Sequence, residues 1–184
     1  MLWGGISAHG LIPQKAPIFV DELLSEFENG DGTRPKNVNS TIYCDMLETK
    51  ALPAIKKLYP NLNDCFVQDD EAPIHRTQYA LETFDRCFPK RVPAKMASCT
   101  ADILPIENNW SIVKDKLPNK LLSKILKLPK KIITKVWIEI SNDKALLKRI
   151  FVSSCNRMKA VIELDGAQVH KGDWSNTPQA AGDG

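Results

Sequence analysis

Three consecutive carboxylates, Asp69, Asp70 and Glu71, follow the short apolar run Cys65-Phe66-Val67 and Gln68. If that run is a strand, its end sets the carboxylates at the edge of a sheet, within reach of both an ion and a substrate. Hard cations such as Mg²⁺ take oxygen ligands and keep several waters, so one or two carboxylates per ion suffice. Two ions about 4 Å apart would activate a nucleophile and stabilise a leaving oxygen in phosphoryl transfer. The second acid must come from elsewhere in the chain. Glu107 is the best placed, because Pro105 sits where a first-turn proline belongs and Glu107 follows two residues later. The competing reading is structural: acids after a strand form a solvated turn, and an early helical Glu complements the dipole.

The elements that would carry these residues can be read from pattern. Leu2 to Val20 reads as two short strands around a turn at Ala8-His9-Gly10, with Pro13 and Pro17 arguing for a sheet edge. Asp21 to Lys36 reads as an acidic loop. Its glycines do not make a phosphate loop, since GDGTRP has proline where a third glycine should stand. A helix capped by Asn39 or Ser40 follows, with Tyr43, Met46, Leu47, Ile55 and Leu58 as its stripe. Pro53 should kink or split it, and Pro60 ends it. Ala72-Pro73 opens a second helix bearing Ile74, Leu81, Phe84 and Phe88. Pro89 to Asp102 is a poorly patterned connector. Ile106, Trp110, Val113 and Leu117 then mark a helix. Leu121, Leu122, Ile125 and Leu126 form the next stripe, and Ile132, Ile133, Val136, Trp137 and Ile140 the one after it. A last helix starts after Asn142, runs through Leu147, Phe151, Cys155, Met158 and Ile162, and stops at Gly166. Residues 167–184 have little to bury and read as a disordered tail. Strands and helices mixed in this order predict one α/β domain over residues 1–166. Trp110 and Trp137 lie on apolar stripes and read as core.

Composition bounds the function. The 184 residues are 43% hydrophobic and 26% charged, with a net charge of +3, which suits one compact domain with its own core. No apolar run approaches the roughly 20 residues of a membrane helix, and the N-terminus lacks a basic leader, so no membrane span or secretory signal is expected. The five cysteines form no C-x-x-C pair, which argues against a disulfide framework or a zinc site and fits a reducing nuclear or cytosolic setting. Charge is unevenly spread: between Lys114 and Arg149 there are 11 basic residues against Asp115, Glu139 and Asp143. Lys114, Lys116, Lys120 and Lys124 are candidates for phosphate contacts, each steepening the salt dependence of DNA binding by about one unit. The alternative is that these lysines are the solvated faces of amphipathic helices. Three histidines without H-E-x-x-H spacing, and cysteines outside any motif, do not support zinc hydrolysis or Cys-His catalysis.

VQDDEAPIH (Val67 to His75) followed by TADILPIENNWSIVKDKL (Thr100 to Leu117) resembles the paired signature of Tc/mariner-type transposases. In that family a strand ends in Q-D-N-A-P-x-H, and a later S-P-D-L-N-P-I-E-N-x-W-S-x-x-K segment carries the final catalytic acid. LWGGISAHG resembles the family's W-G-G-I-S-x-x-G hairpin, VNSTIYCDMLETKALPAIKKLYP its next helix, and RMKAVIELDG its terminal helix. The motifs come in the family's order and span about Leu2 to Gly166.

The resemblance implies an RNase H-like integrase/transposase core that cuts and joins transposon DNA with Mg²⁺ or Mn²⁺, working on DNA in the nucleus and possible as a homodimer. Alignment on A-P-x-H matches Asp70 to the second catalytic acid and Glu107 to the third, and both would ligate metal. Asp69 falls where glutamine is usual, Glu71 where asparagine is usual, and Asn109 where an apolar residue usually precedes Trp110. Asp102 matches a turn aspartate, and His75 the motif histidine, which can cap or pack as readily as catalyse. The family's first catalytic Asp lies on a strand upstream of the W-G-G hairpin, at which this sequence begins. Two expectations follow: a truncated metal-dependent DNA endonuclease domain, or a catalytically inactive, transposase-derived module that binds nucleic acid or itself.

Overall fold

A computed structural model describes residues 1–70, 72–92, 103–118 and 129–166, and the statements below concern those residues. Leu2–Trp3 (β1) pairs antiparallel with Ile18–Phe19 (β4), and Gly5–Ser7 (β2) with Gly10–Ile12 (β3). The expected hairpin is present, with Ala8 and His9 at its tip. Ser7 Oγ donates to the Gly10 carbonyl at 3.0 Å and closes it. Gly10 has φ of 151°, and a Cβ there would stand 3.0 Å from Ser141 Oγ, so glycine is needed both for the turn and for the close approach.

Val20–Ser25 (α1) replaces the start of the acidic loop. The sequence reading took Asp21 and Glu22 as loop residues, but they lie in the first turn of a helix and both pair with Lys130 at 2.6 Å. Ser40–Met46 (α2) begins where expected, with the Asn39 side chain accepting from Ile42 N at 2.9 Å. It runs through a π-helical turn at Leu47–Ala51 into Leu52–Leu58 (α3). The π turn lies just before Pro53, whose ring and missing N–H would break a regular α ladder. A short 3₁₀ turn, Leu62–Asp64, follows.

The apolar run at Cys65 forms no continuous strand. Val67 makes a single parallel bridge to Arg91, and Phe66 is 73% exposed. The expected helix after Pro73 is divided into a 3₁₀ turn, Pro73–Arg76, and Gln78–Cys87 (α4), capped by Thr77. Pro105–Lys116 (α5) starts at its proline, as its sequence predicts. Lys130–Asn142 (α6) and Lys144–Glu163 (α7) complete the described chain, the latter capped by Asp143 and ended at Gly166, whose N–H bonds the Val161 carbonyl at 2.8 Å. The Leu121 stripe, Asp102, Glu71, the connector's end and the tail lie outside the described residues.

Two apolar clusters make the interior. One joins α2, α3 and α4 through Tyr43, Met46, Leu47, Phe84 and Phe88; the other joins the hairpin to α5, α6 and α7 through Leu11, Val113, Trp137, Ile140 and Leu147. Trp137 is fully buried, as its stripe implies, and its Nε1 donates to the Pro13 carbonyl at 2.6 Å. The stripe assigned to α7 is corrected in part: Cys155, Met158 and Ile162 are exposed, while Ser154, Arg157 and Ala160 face inward. Ser154 Oγ donates to the Ile103 carbonyl and Arg157 to Asn108 Oδ1 at 3.0 Å, so polar links to α5 decide which face of α7 is covered.

Two stability outcomes follow. A Cβ on Gly4 would lie 2.3 Å from Trp137 Cη2, so Gly4→Ala overpacks the joint and should cost about 1–3 kcal/mol, read as a lower urea midpoint. Asn109 is fully buried and neither its Oδ1 nor its Nδ2 has a hydrogen-bond partner. Asn109→Leu should therefore stabilise the protein by about 1–3 kcal/mol in the same urea titration, the desolvation cost it removes.

Candidate functional site

Of the carboxylates singled out by sequence, Asp69, Asp70 and Glu107 line one cavity of about 510 Å³. Its walls are the strand residues 2–8, the segment 64–70, Tyr43 and Leu47 from the α2 side, Phe84 and Phe88 of α4, and Glu107 and Trp110 of α5. Most of that lining is apolar, with Asp64, Asp69, Asp70 and Glu107 as its acids. The hairpin's edge reaches this cavity because Leu11 N is turned outward to Ser141 Oγ, at 3.0 Å, on the opposite side of the ladder.

Asp69 and Asp70 are adjacent but differ in environment. Asp69 has only 16% of its side chain exposed and stands 3.5 Å from Arg91, which also bonds Asp85 at 3.2 Å and stacks over the Phe84 ring at 4.4 Å. Tyr43 donates its hydroxyl to Asp69 Oδ2 at 3.2 Å. Burial raises the Asp69 carboxyl above its ordinary range, and the Arg91 and His75 charges work against that rise. Burial also pushes the Tyr43 phenol up, with the charge on Asp69 adding to it, so Tyr43 stays a donor. Asp69 is thus the counter-ion of Arg91, an assignment its position beside Asp70 did not reveal.

Asp70 keeps 59% of its side chain exposed. Its Oδ1 accepts from the Ala72 amide at 3.0 Å and lies 2.6 Å from His75 Nδ1. The His75 contact holds the carboxyl below its ordinary range, outweighing desolvation. His75 is 8% exposed and its ring stacks on Tyr43, centroids 3.9 Å apart at 23°. The approach of Nδ1 lies off the line of a directed hydrogen bond, so the interaction is chiefly electrostatic. His75 thus packs on Tyr43 and contacts Asp70 at once.

Glu107 is exposed in the first turn of α5 and lines the same cavity. Asp64, at the end of its 3₁₀ turn, lines it too. The sequence reading passed over Asp64, Tyr43 and Arg91: the first sits in a polar turn, the second on an apolar stripe, the third in an unpatterned connector. Oxygen donors of this kind suit a hard divalent cation. Among the described residues, however, no three His, Cys, Asp or Glu side chains gather closely enough to enclose an ion. Asp70 and Glu107 therefore offer part of a ligand set.

The proposed phosphate contacts divide. Lys114 and Lys116 lie in the last turn of α5, where Lys116 pairs with Glu139 of α6; Lys120 and Lys124 lie outside the described residues. Four of the five cysteines are described, and all four are free thiols. No described helix is long and apolar enough to cross a membrane.

No family model, no curated protein and no solved structure matches this chain. What the fold itself establishes is a mixed α/β arrangement of helices around two small antiparallel sheets.

The two aspartates contribute oppositely to acid stability. Because Asp70 titrates below its ordinary value of 3.8 in the folded protein, its contribution is present above that value and is lost as pH falls beneath it. Asp69, raised by burial, binds its proton more tightly when folded and partly offsets this. Asp70→Asn should therefore lose less stability than the parent between roughly pH 5 and pH 2.5 in urea titrations. Equal losses in the two proteins would mean that the Asp70 carboxylate is not held.

Proposed function

We propose that this chain is a transposase-derived domain of the Tc/mariner type, built on an RNase H-like core, that acts on DNA with a divalent cation. The observation carrying this reading is that Asp70 and Glu107, picked out by motif and separated by 36 residues, line one cavity. The motif order from Leu2 to Gly166 supports it as well. In this reading Asp70 and Glu107 ligate Mg²⁺ or Mn²⁺, which would supply an activated water for strand cleavage. Lys114, Lys116, Lys120 and Lys124 contact phosphates, and Lys148 and Arg149, which line a shallow depression on α7, are further basic residues that can do so. DNA of the transposon ends and target is the partner, a homodimer the assembly, and the nucleus the setting.

One observation favours a second reading, a catalytically inactive module that retains nucleic-acid binding or self-association. The described carboxylates form a partial ligand set, and one of them, Asp69, is spent on Arg91. Plasmid nicking in Mn²⁺, combined with DNA binding measured across salt concentrations, separates the two. Nicking abolished by Asp70→Asn and by Glu107→Gln is the outcome expected of an endonuclease. Salt-dependent binding without nicking selects the second reading. Nicking that persists in Asp70→Asn removes the assigned metal role, and DNA binding insensitive to salt removes the phosphate contacts.

A further inference from the structure

We propose that the cavity is a slot for a strand: it receives an extended, apolar segment of another polypeptide, flanked by basic residues, along the backbone edges at Leu2–Ile6 and Phe66. The inference is independent of whether Asp70 and Glu107 hold a cation. Side chains of a strand point alternately to its two faces, so a cavity against one face meets every second residue. This cavity instead meets the consecutive residues 2–8 and the consecutive residues 64–70, so it runs along the backbone of both segments.

Those backbone edges are open. Val20 N donates to the Met1 carbonyl at 3.1 Å, and the two-residue turn makes Ser7 and Gly10 a bonded pair. Alternation along the ladder then bonds Trp3 and Gly5 to β4 and β3, and turns the N–H and C=O of Leu2, Gly4 and Ile6 to the other side. Leu11, opposite Ile6, has the same phase, since its N–H leaves the ladder for Ser141 Oγ. Among the described residues each sheet has two strands, so no third strand covers that edge. Val67 is likewise used on one side, donating to the Lys90 carbonyl at 2.9 Å and accepting from Val92 N at 3.0 Å. By the same alternation Phe66 turns its backbone groups the other way, and its ring, on the cavity wall, is 73% exposed.

These features fix what fits. Rows of backbone donors and acceptors along a cavity are matched by another backbone, as in strand addition. Leu2 to Ile6 spans about 13 Å, room for about four or five extended residues. The helical walls come from both apolar clusters, Leu47, Phe84 and Phe88 from one and Trp110 from the other, so the segment meets apolar surface on both faces. The charged residues of the lining are acids, with no Lys or Arg among the described residues there. Asp64 and Asp70 stand at the two ends of the 64–70 run, so basic flanks on the segment are complemented. The described strands of this chain are all paired, so a second copy has none to offer and the occupant is a different polypeptide.

The test uses the full chain and a synthetic peptide, acetyl-Lys-Val-Ile-Val-Ile-Lys-amide, with amide exchange read by ¹⁵N NMR. The peptide should bind saturably and slow exchange at Gly4, Ile6 and Phe66 about tenfold or more. A peptide N-methylated at alternate residues, which loses donors along one edge, should bind at least about tenfold more weakly, and so should one with glutamates in place of the lysines. Phe66→Ala removes a ring that is mostly in water, so the fold is kept while binding should weaken about tenfold. Ile6→Pro removes an N–H that the ladder to β3 does not use and should reduce binding further. Circular dichroism confirms that each variant is folded, and Phe66→Ala decides if Ile6→Pro is not. No saturable binding by the parent, binding indifferent to N-methylation, or unchanged exchange at Gly4 and Ile6 overturns the inference. Equal binding of the glutamate peptide overturns the basic flanks. Amides of Gly4 and Ile6 already protected in the protein alone also overturn it: in a dimer a second copy fills the slot, and in a monomer the chain itself does.

Discussion

The contact between Gly4 and the indole of Trp137 is the joint on which the arrangement depends. The two residues are far apart in sequence, yet the ring lies so close over the Gly4 backbone that a Cβ would overlap it. The joint is reinforced along the hairpin: Trp137 Nε1 bonds the Pro13 carbonyl, Leu11 N bonds Ser141 Oγ, and Lys144 reaches the His9 carbonyl. Short strands of two or three residues cannot hold themselves together in water, so they need such a backing. With the hairpin pinned to α6, its other edge is left along the cavity that the carboxylates share.

The carboxylate end of that cavity illustrates how neighbours in sequence acquire different chemistry. Asp69 and Asp70 share a backbone, yet one is buried against a guanidinium and a phenol and the other is exposed beside an imidazole. Their titration moves in opposite directions for that reason: desolvation governs Asp69, and the His75 contact governs Asp70. The aromatic pair between them gives the site stiffness.

Asn109 is the place where local and global requirements conflict. Its side chain enters the interior one residue before Trp110, without a partner for either polar atom among the described residues. The Tc/mariner-type pattern that the sequence resembles has an apolar residue there. A buried, unpaired amide opposes the packing around it, and the fold carries that cost because the surrounding contacts, the fully buried Trp137 above all, are large enough to tolerate it.

Local chemistry made much of the chain legible in advance. Asn39 caps a helix with its own side chain, Pro105 opens one and Gly166 ends the last, because each acts on groups within a few residues of itself; the π turn before Pro53 stands where a kink or split was expected. The resemblance to the Tc/mariner-type motifs is what paired Asp70 with Glu107. Tertiary structure alone decided the rest. Phe66 sits in an apolar run yet is exposed, since a single bridge at Val67 does not bury it. Ser154 and Arg157 face inward against the apolar periodicity of α7, where they bond the Ile103 carbonyl and Asn108 Oδ1. Which aspartate is tied down and which stays open was likewise undetermined until Tyr43, His75 and Arg91 came together from three separate segments. Sequence determines what a residue can do to its near neighbours; solvent access and long-range partners, which set its charge and orientation, exist only once the chain is folded.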